Sequence, residues 1–281
     1  MRVIPAQVVY DRVIEAISQI SYFLDPEVYS ALATARRTEQ SKLSRDVLQA
    51  LLDNADVASK QQIPLCQDTG TVVVFASFGS DVFVEGSSLE EIINAAVAKS
   101  YADNYLRASI VEDPLYERVN TRNNCPAIIH FDQVPGDKIS LHIAQKGGGA
   151  ENMSVLSMLK PGTEEAEIVE LVRQTVCGAG GKPCPPLIIG IGIGGNFETC
   201  ALLAKKALFV PVEQPNRDPQ YAELESKILK TVNDSNVGPQ GLGGATTALA
   251  VHILTAPCHI ASLPVAINLQ CHSHRHAHIV I

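Results

Sequence analysis

Residues 177–195 constrain this chain more than any other stretch. They open as Cys177-Gly178-Ala179-Gly180-Gly181-Lys182-Pro183-Cys184-Pro185-Pro186 and run on into Leu187-Ile188-Ile189-Gly190-Ile191. Three prolines around one cysteine fix φ on both sides of it and strip the loop of backbone donors. The short apolar run that follows, bounded by proline and glycine, predicts a buried strand. A rigid polar loop feeding a buried strand is a feature of mixed α/β folds, in which loops carry chemistry and strands hold them in place.

The rest of the chain fits that class. Val8, Val9, Val13, Ile14, Ile17 and Ile20 recur at helical spacing, Pro26 to Arg37 begins with a helix-start proline, and Ser41 to Ala55 is strongly amphipathic. Thr71-Val72-Val73-Val74-Phe75 is short and β-branched, and predicts a strand. Ser87 and Ser88 ahead of Glu90 and Glu91 predict a helix start. Residues 127–131 and 139–143 predict two strands, with Pro135-Gly136-Asp137 as the turn of a hairpin between them. Helices are expected over 163–176, 197–208 and 219–232, and buried strands over 248–255 and 263–269. No repeat or linker interrupts this order. The expected fold is mixed α/β: a single large domain over 1–281, with a helical N-terminal layer (1–60) packed on mixed β-sheets (61–281).

Composition excludes several functions. With 46% hydrophobic and 19% charged residues, wholesale disorder is ruled out. No apolar run approaches ~18–20 residues, so no membrane span is expected. The opening Met1-Arg2-Val3-Ile4-Pro5 leads straight into a helical pattern and predicts no signal peptide. A net charge of −8 argues against nucleic acid or an anionic membrane as partner. Seven cysteines, an odd count, predict free thiols in a reducing cytoplasm.

Gly190, Gly192 and Gly195 fit G-x-G-x-x-G between a strand and a helix, with Glu213 further on. That is a formal dinucleotide fingerprint. It comes late in the chain, its loop carries no basic residue, and close strand-to-helix packing explains the glycines equally. The cysteines say more. Cys184 is set in its proline frame, Cys66 precedes a strand within Cys66-Gln67-Asp68-Thr69-Gly70, and Cys271 ends the last predicted apolar strand. All three stand at element ends, where loops converge. The closely paired spacing usual for zinc is absent. Three isolated cysteines suit a [4Fe–4S] cluster with one iron left open, and Cys followed by Pro recurs in such ligation.

Leu65-Cys66-Gln67-Asp68-Thr69-Gly70, Lys146-Gly147-Gly148-Gly149, Gly181-Lys182-Pro183-Cys184-Pro185-Pro186, and His259-Ile260-Ala261-Ser262 with Cys271 together resemble the class I iron–sulfur fumarate hydratases. L(+)-tartrate dehydratase is a close relative of these enzymes. The likeness covers nearly the whole chain and corresponds to their separate alpha subunit. It implies that Cys66, Cys184 and Cys271 hold the cluster. It implies Asp68 and His259 as catalytic residues, and Gln67, Arg107 and Gly149 as substrate-binding residues; the choice among Gly147, Gly148 and Gly149 is open by one position. It also implies a beta subunit carrying the rest of the active site, and hence a hetero-oligomer. Gly147 through Ser154 and the Lys182-Pro183 pair resemble the fumarase form more than the tartrate form.

The expected activity is reversible hydration of fumarate to malate, with L(+)-tartrate or another hydroxy-diacid as the alternative substrate. A non-catalytic nucleotide- or cluster-binding module is the reading of a different class. Asp68 reads as a proton-transfer residue, or alternatively as an Asx-turn anchor for the bend at Thr69-Gly70. Cys125, Cys177, Cys200 and Cys258 receive no role. The tail His272-Ser273-His274-Arg275-His276-Ala277-His278 reads as an exposed terminal strand or a frayed end.

Overall fold

The computed structural model describes residues 1–281. In chain order its elements are β1 (Arg2–Pro5), α1 (Ala6–Tyr22), α2 (Pro26–Thr38), α3 (Lys42–Gln61), β2 (Thr71–Gly79), β3 (Val82–Glu85), α4 (Leu89–Asp103), β4 (Ile128–Val134), β5 (Ile139–Lys146), α5 (Gly148–Glu151), β6 (Val155–Leu159), α6 (Glu165–Ala179), β7 (Leu187–Gly194), α7 (Phe197–Ala207), α8 (Pro219–Asn233), β8 (Ala248–Ala256), β9 (Leu263–Gln270) and β10 (His276–Val280). The class is mixed α/β, as expected. None of the helices is long and apolar enough to cross a membrane.

The chain divides into two compact units, each discontinuous in sequence. The first comprises Met1–Asp25, Ala55–Gly148 and Arg275–Ile281. Its main sheet has the order β10-β5-β2-β4. Here the predicted hairpin is corrected: β4 and β5 are not neighbours. β4 pairs parallel with β2, and β5 pairs antiparallel with the other edge of β2. The reason is burial. Val72 to Ala76 are buried on both faces of the strand, and so apolar a strand takes the centre, where both its edges find partners. The parallel β2–β4 join runs through α4, as a crossover must. α4 starts where Ser88 and Glu91 predict it, in a reciprocal capping box. Val13 and Ile17 of α1 and Ile93 and Val97 of α4 form a core with Val74 and Leu141 of the sheet.

The second unit comprises Pro26–Asn54 and Gly149–His274. Its sheet has the order β6-β9-β7-β8. β7 pairs parallel with β8 and antiparallel with β9, and every one of its residues is buried. One face is covered by α6 and α8, through Val172, Val176, Ile228 and Val232. The other takes α7. A Cβ on Gly190 would stand 2.2 Å from Ala204 O, and one on Gly192 2.2 Å from Cys200 O. These glycines lie inside the strand and let α7 approach it, so the packing explanation accounts for them.

β1, β3 and β6 span only four, four and five residues, too short for a period to show. The C-terminal tail ends in a terminal strand at the sheet edge, one of the two readings expected of it. β10 pairs with β5, and Ser273, His274 and Arg275 ahead of it are buried rather than frayed.

Candidate active site

The loop Cys66–Gly70 enters β2 in the first unit. Leu65 N–H donates to Ser21 O of α1, 2.8 Å away, and fixes where the loop begins. Gly70 fixes where it ends: φ is +73°, and a Cβ there would stand 2.4 Å from Lys146 O. Only glycine meets both conditions. Between these points the backbone is held from several sides. The Tyr101 hydroxyl donates to Thr69 O and Gly70 O at 2.9 and 3.0 Å. Burial pushes that phenol up to about 12, so it stays a donor at any working pH. Asn124 Nδ2 donates to Gly70 O at 3.0 Å. Thr69 Oγ1 donates to Arg107 O at 2.6 Å, which ties the loop to the segment after α4.

That last bond brings two expected site residues together. The Arg107 guanidinium lies 3.9 Å from the Asp68 carboxylate, and both side chains are partly exposed, at 56% and 33%. Gly147 is the third member. A Cβ there would come within 3.1 Å of Asp68 Oδ2, so the glycine triplet begins against the Asp68 carboxylate. Cys66, half-buried with a free thiol, opens the same loop. The first unit therefore assembles Cys66, Asp68, Arg107 and the start of the glycine triplet.

In the second unit, Gly149, Cys184 and Cys271 belong to neighbouring loops. A Cβ on Gly149 would lie 3.0 Å from Lys182 O. His272, next to Cys271, sends its backbone N–H to Cys184 O at 3.4 Å, and its ring Nδ1 is 2.9 Å from the same oxygen. Gln240 donates to Pro185 O from its backbone and side-chain nitrogens, at 2.8 and 2.9 Å. Cys184 itself sits at φ +56°, a left-handed setting rare for a non-glycine residue and typical of sites where surroundings over-determine the backbone. Its thiol is exposed, while that of Cys271 is buried. His259 lies in the exposed turn between β8 and β9, where its Nδ1 accepts from Ala261 N–H at 3.1 Å. Its carbonyl accepts from Ser262 N–H and Oγ in the same turn, so these bonds are local to it.

The donor chemistry was tested against an iron–sulfur cluster. Cys66, Cys184 and Cys271 are free thiols, each on a loop held by backbone hydrogen bonds. No three His, Cys, Asp or Glu side chains gather tightly enough to hold a single metal ion. In a cluster each thiolate takes a different iron. The four remaining cysteines are likewise outside any disulfide. Cys200 is fully buried in α7, where burial pushes it up to about 11. Burial likewise raises Cys125. Cys258 donates to Ser262 O, and Cys177 lies 3.7 Å from Arg173 Nη1.

The fumarate hydratase (Fumerase) family model matches residues 10–280. The chain belongs to that family. Among fumarate hydratase family relatives, "Putative L(+)-tartrate dehydratase subunit alpha" of Methanocaldococcus jannaschii is 40% identical, covering 95% of this chain and 95% of that protein. Two Escherichia coli proteins named L(+)-tartrate dehydratase subunit alpha are 29% and 30% identical. They cover 94% and 92% of this chain, and 88% and 86% of their own lengths. Membership in this family makes the chain part of a hydro-lyase.

One residue beside the family motif escaped the sequence. Arg275 is 2% exposed, and its Nη2 donates to Asp68 O at 2.8 Å. An arginine within a histidine-rich tail carries no pattern that marks it as buried. Its partner lies 207 positions away, so no local signal existed.

Proposed function

We propose that this chain is the cluster-bearing alpha subunit of a hydro-lyase that adds and removes water at a hydroxy-dicarboxylate. The observation that carries this reading is the placement of Asp68: two residues after Cys66, with the Arg107 guanidinium 3.9 Å from its carboxylate. Cys66, Cys184 and Cys271 would hold a [4Fe–4S] cluster. When bound, such a cluster supplies an open iron that acts as a Lewis acid toward the oxygen atoms of the substrate.

The chain's own residues do the rest. Arg107 is exposed enough to clamp a substrate carboxylate through its planar fork. Asp68 holds the proton exchanged with the substrate carbon, or with the water added to it. Gln67 and Gly149 line the bound diacid, and His259 polarises it. A dianion needs more cationic contacts than this set offers. A beta subunit supplies them in this reading, and the alpha-subunit names of the relatives support that division.

Two substrates fit, and a separate observation favours each. Gly147 through Ser154 and Lys182-Pro183 favour fumarate and malate, as does the family model. The names of the most similar relatives favour L(+)-tartrate at least as strongly. The test is anaerobic co-expression with a beta-type chain of this family, assay of iron and sulfide, and comparison of kcat/KM for fumarate, L-malate and L(+)-tartrate. Iron-loaded protein that turns over one of these and not the other names the substrate. Iron-free protein, or no turnover of any, overturns the proposal.

A further inference from the structure

Arg275 is the largest fully buried side chain of the protein. A guanidinium does not shed its proton in a protein, and burying its charge is costly unless the site uses it. Strand pairing does not use it: the link from β5 runs through the Arg275 backbone, whose carbonyl accepts from Gln145 N–H at 3.0 Å. The side chain turns instead toward the Asp68 loop. Nη2 donates to Asp68 O at 2.8 Å, while Nε has no hydrogen-bond partner. Nη2 also stands 3.7 Å from the point a Gly147 Cβ would occupy, and Asp68 Oδ2 stands 3.1 Å from that same point. The guanidinium and the Asp68 carboxylate therefore flank one glycine. Arg107 approaches the carboxylate through its other oxygen, Oδ1.

We propose that Arg275 is a positioning residue for Asp68. Its buried guanidinium holds the Asp68 carbonyl and, with Arg107, confines the carboxylate between two cations. The inference rests on the reading of Asp68 as the proton-transfer residue. Other bonds fix Thr69 and Gly70, and Arg275 adds a hold on the main chain at Asp68. Misplacing a reacting group by an ångström costs about a hundredfold in rate.

The test uses the full chain with its cluster and co-purifying partner, carrying Arg275→Gln or Arg275→Lys. Hydrogen exchange across 66–70 is expected to speed up about tenfold in Arg275→Gln, as for a lost bond to a charged donor, while β5 stays protected. In the same variant kcat should fall about a hundredfold with KM within about threefold. Arg275→Lys should recover part but not all of the lost rate, because it keeps the charge but not the planar fork. Combined with Asp68→Asn, Arg275→Gln should cost nothing further. Unchanged exchange at 66–70, or losses that add to those of Asp68→Asn, would overturn the proposal. Should Arg275→Gln fail to fold, Arg275→Lys decides: faster exchange at 66–70 with lower kcat and steady KM supports it, and wild-type values refute it. Should the wild-type complex turn over no hydroxy-diacid, the proposed activity fails, and exchange at 66–70 alone decides what Arg275 does.

Discussion

At the scale of single residues, the site separates into what motif spacing reveals and what only folding reveals. Cys66, Asp68 and Cys184 stand out in the sequence because glycine and proline set them apart from ordinary core positions. Arg107 is named by resemblance, and its 3.9 Å approach to Asp68 is visible only once Thr69 ties the two segments together. Arg275 is illegible beforehand, because a charged residue in a polar tail looks solvated. Two predictions belong here. Asp68→Asn should leave iron content unchanged and lower kcat by at least ~10²-fold. Near-normal turnover would instead leave Asp68 as the turn anchor. Serine at Cys66, Cys184 or Cys271 should abolish stable cluster loading, measured as iron and sulfide per chain. Normal loading in any one variant removes that residue from the ligand set.

At the scale of elements, helices and buried strands were legible because their apolar periods are long and regular. Pairing was not. The turn at 135–137 is real, and Asp81 N–H bonds to Gly136 O within it, yet β2 takes the place between β4 and β5. Local turn chemistry lost to the demand of a doubly buried strand for two partners. The glycines of β7 give a sharp prediction. Gly192→Ala sets a methyl 2.2 Å from Cys200 O and 2.8 Å from Ala204 N, against backbone that cannot yield. It should destabilise the protein by about 1–3 kcal/mol or more, read as a fall in denaturation midpoint. β8 supplies another. His252 is 3% exposed, with both ring nitrogens unpartnered, and burial pushes it down to about 4. Folded protein keeps this ring neutral while the unfolded chain protonates it below about 6.5. Stability should therefore fall as pH drops from about 6.5 to 4, by roughly 3 kcal/mol, and level off below that. His252→Leu should flatten this slope in denaturation curves taken between pH 7 and 4, and an unchanged slope would assign the dependence elsewhere.

At the scale of the whole molecule, the expected site residues are divided between two compact units: Cys66, Asp68 and Arg107 belong to one, and Gly149, Cys184, His259 and Cys271 to the other. No shift of composition marks that division in the sequence, because each unit is built from separated stretches of chain. If a beta subunit completes the site, the isolated alpha chain should load its cluster yet turn over little substrate. Equal rates for the isolated chain and the complex would refute that. Air should abolish activity, and ferrous iron with thiol should restore it. The interleaving of the units also governs how the protein is made. β10 and Arg275 belong to the first unit but leave the ribosome only after the whole of Gly149–His274. Until then β5 presents an open edge, and the loop at Asp68 has no cation behind it. A nascent chain stalled before residue 275 thus offers an unpaired strand edge to its neighbours.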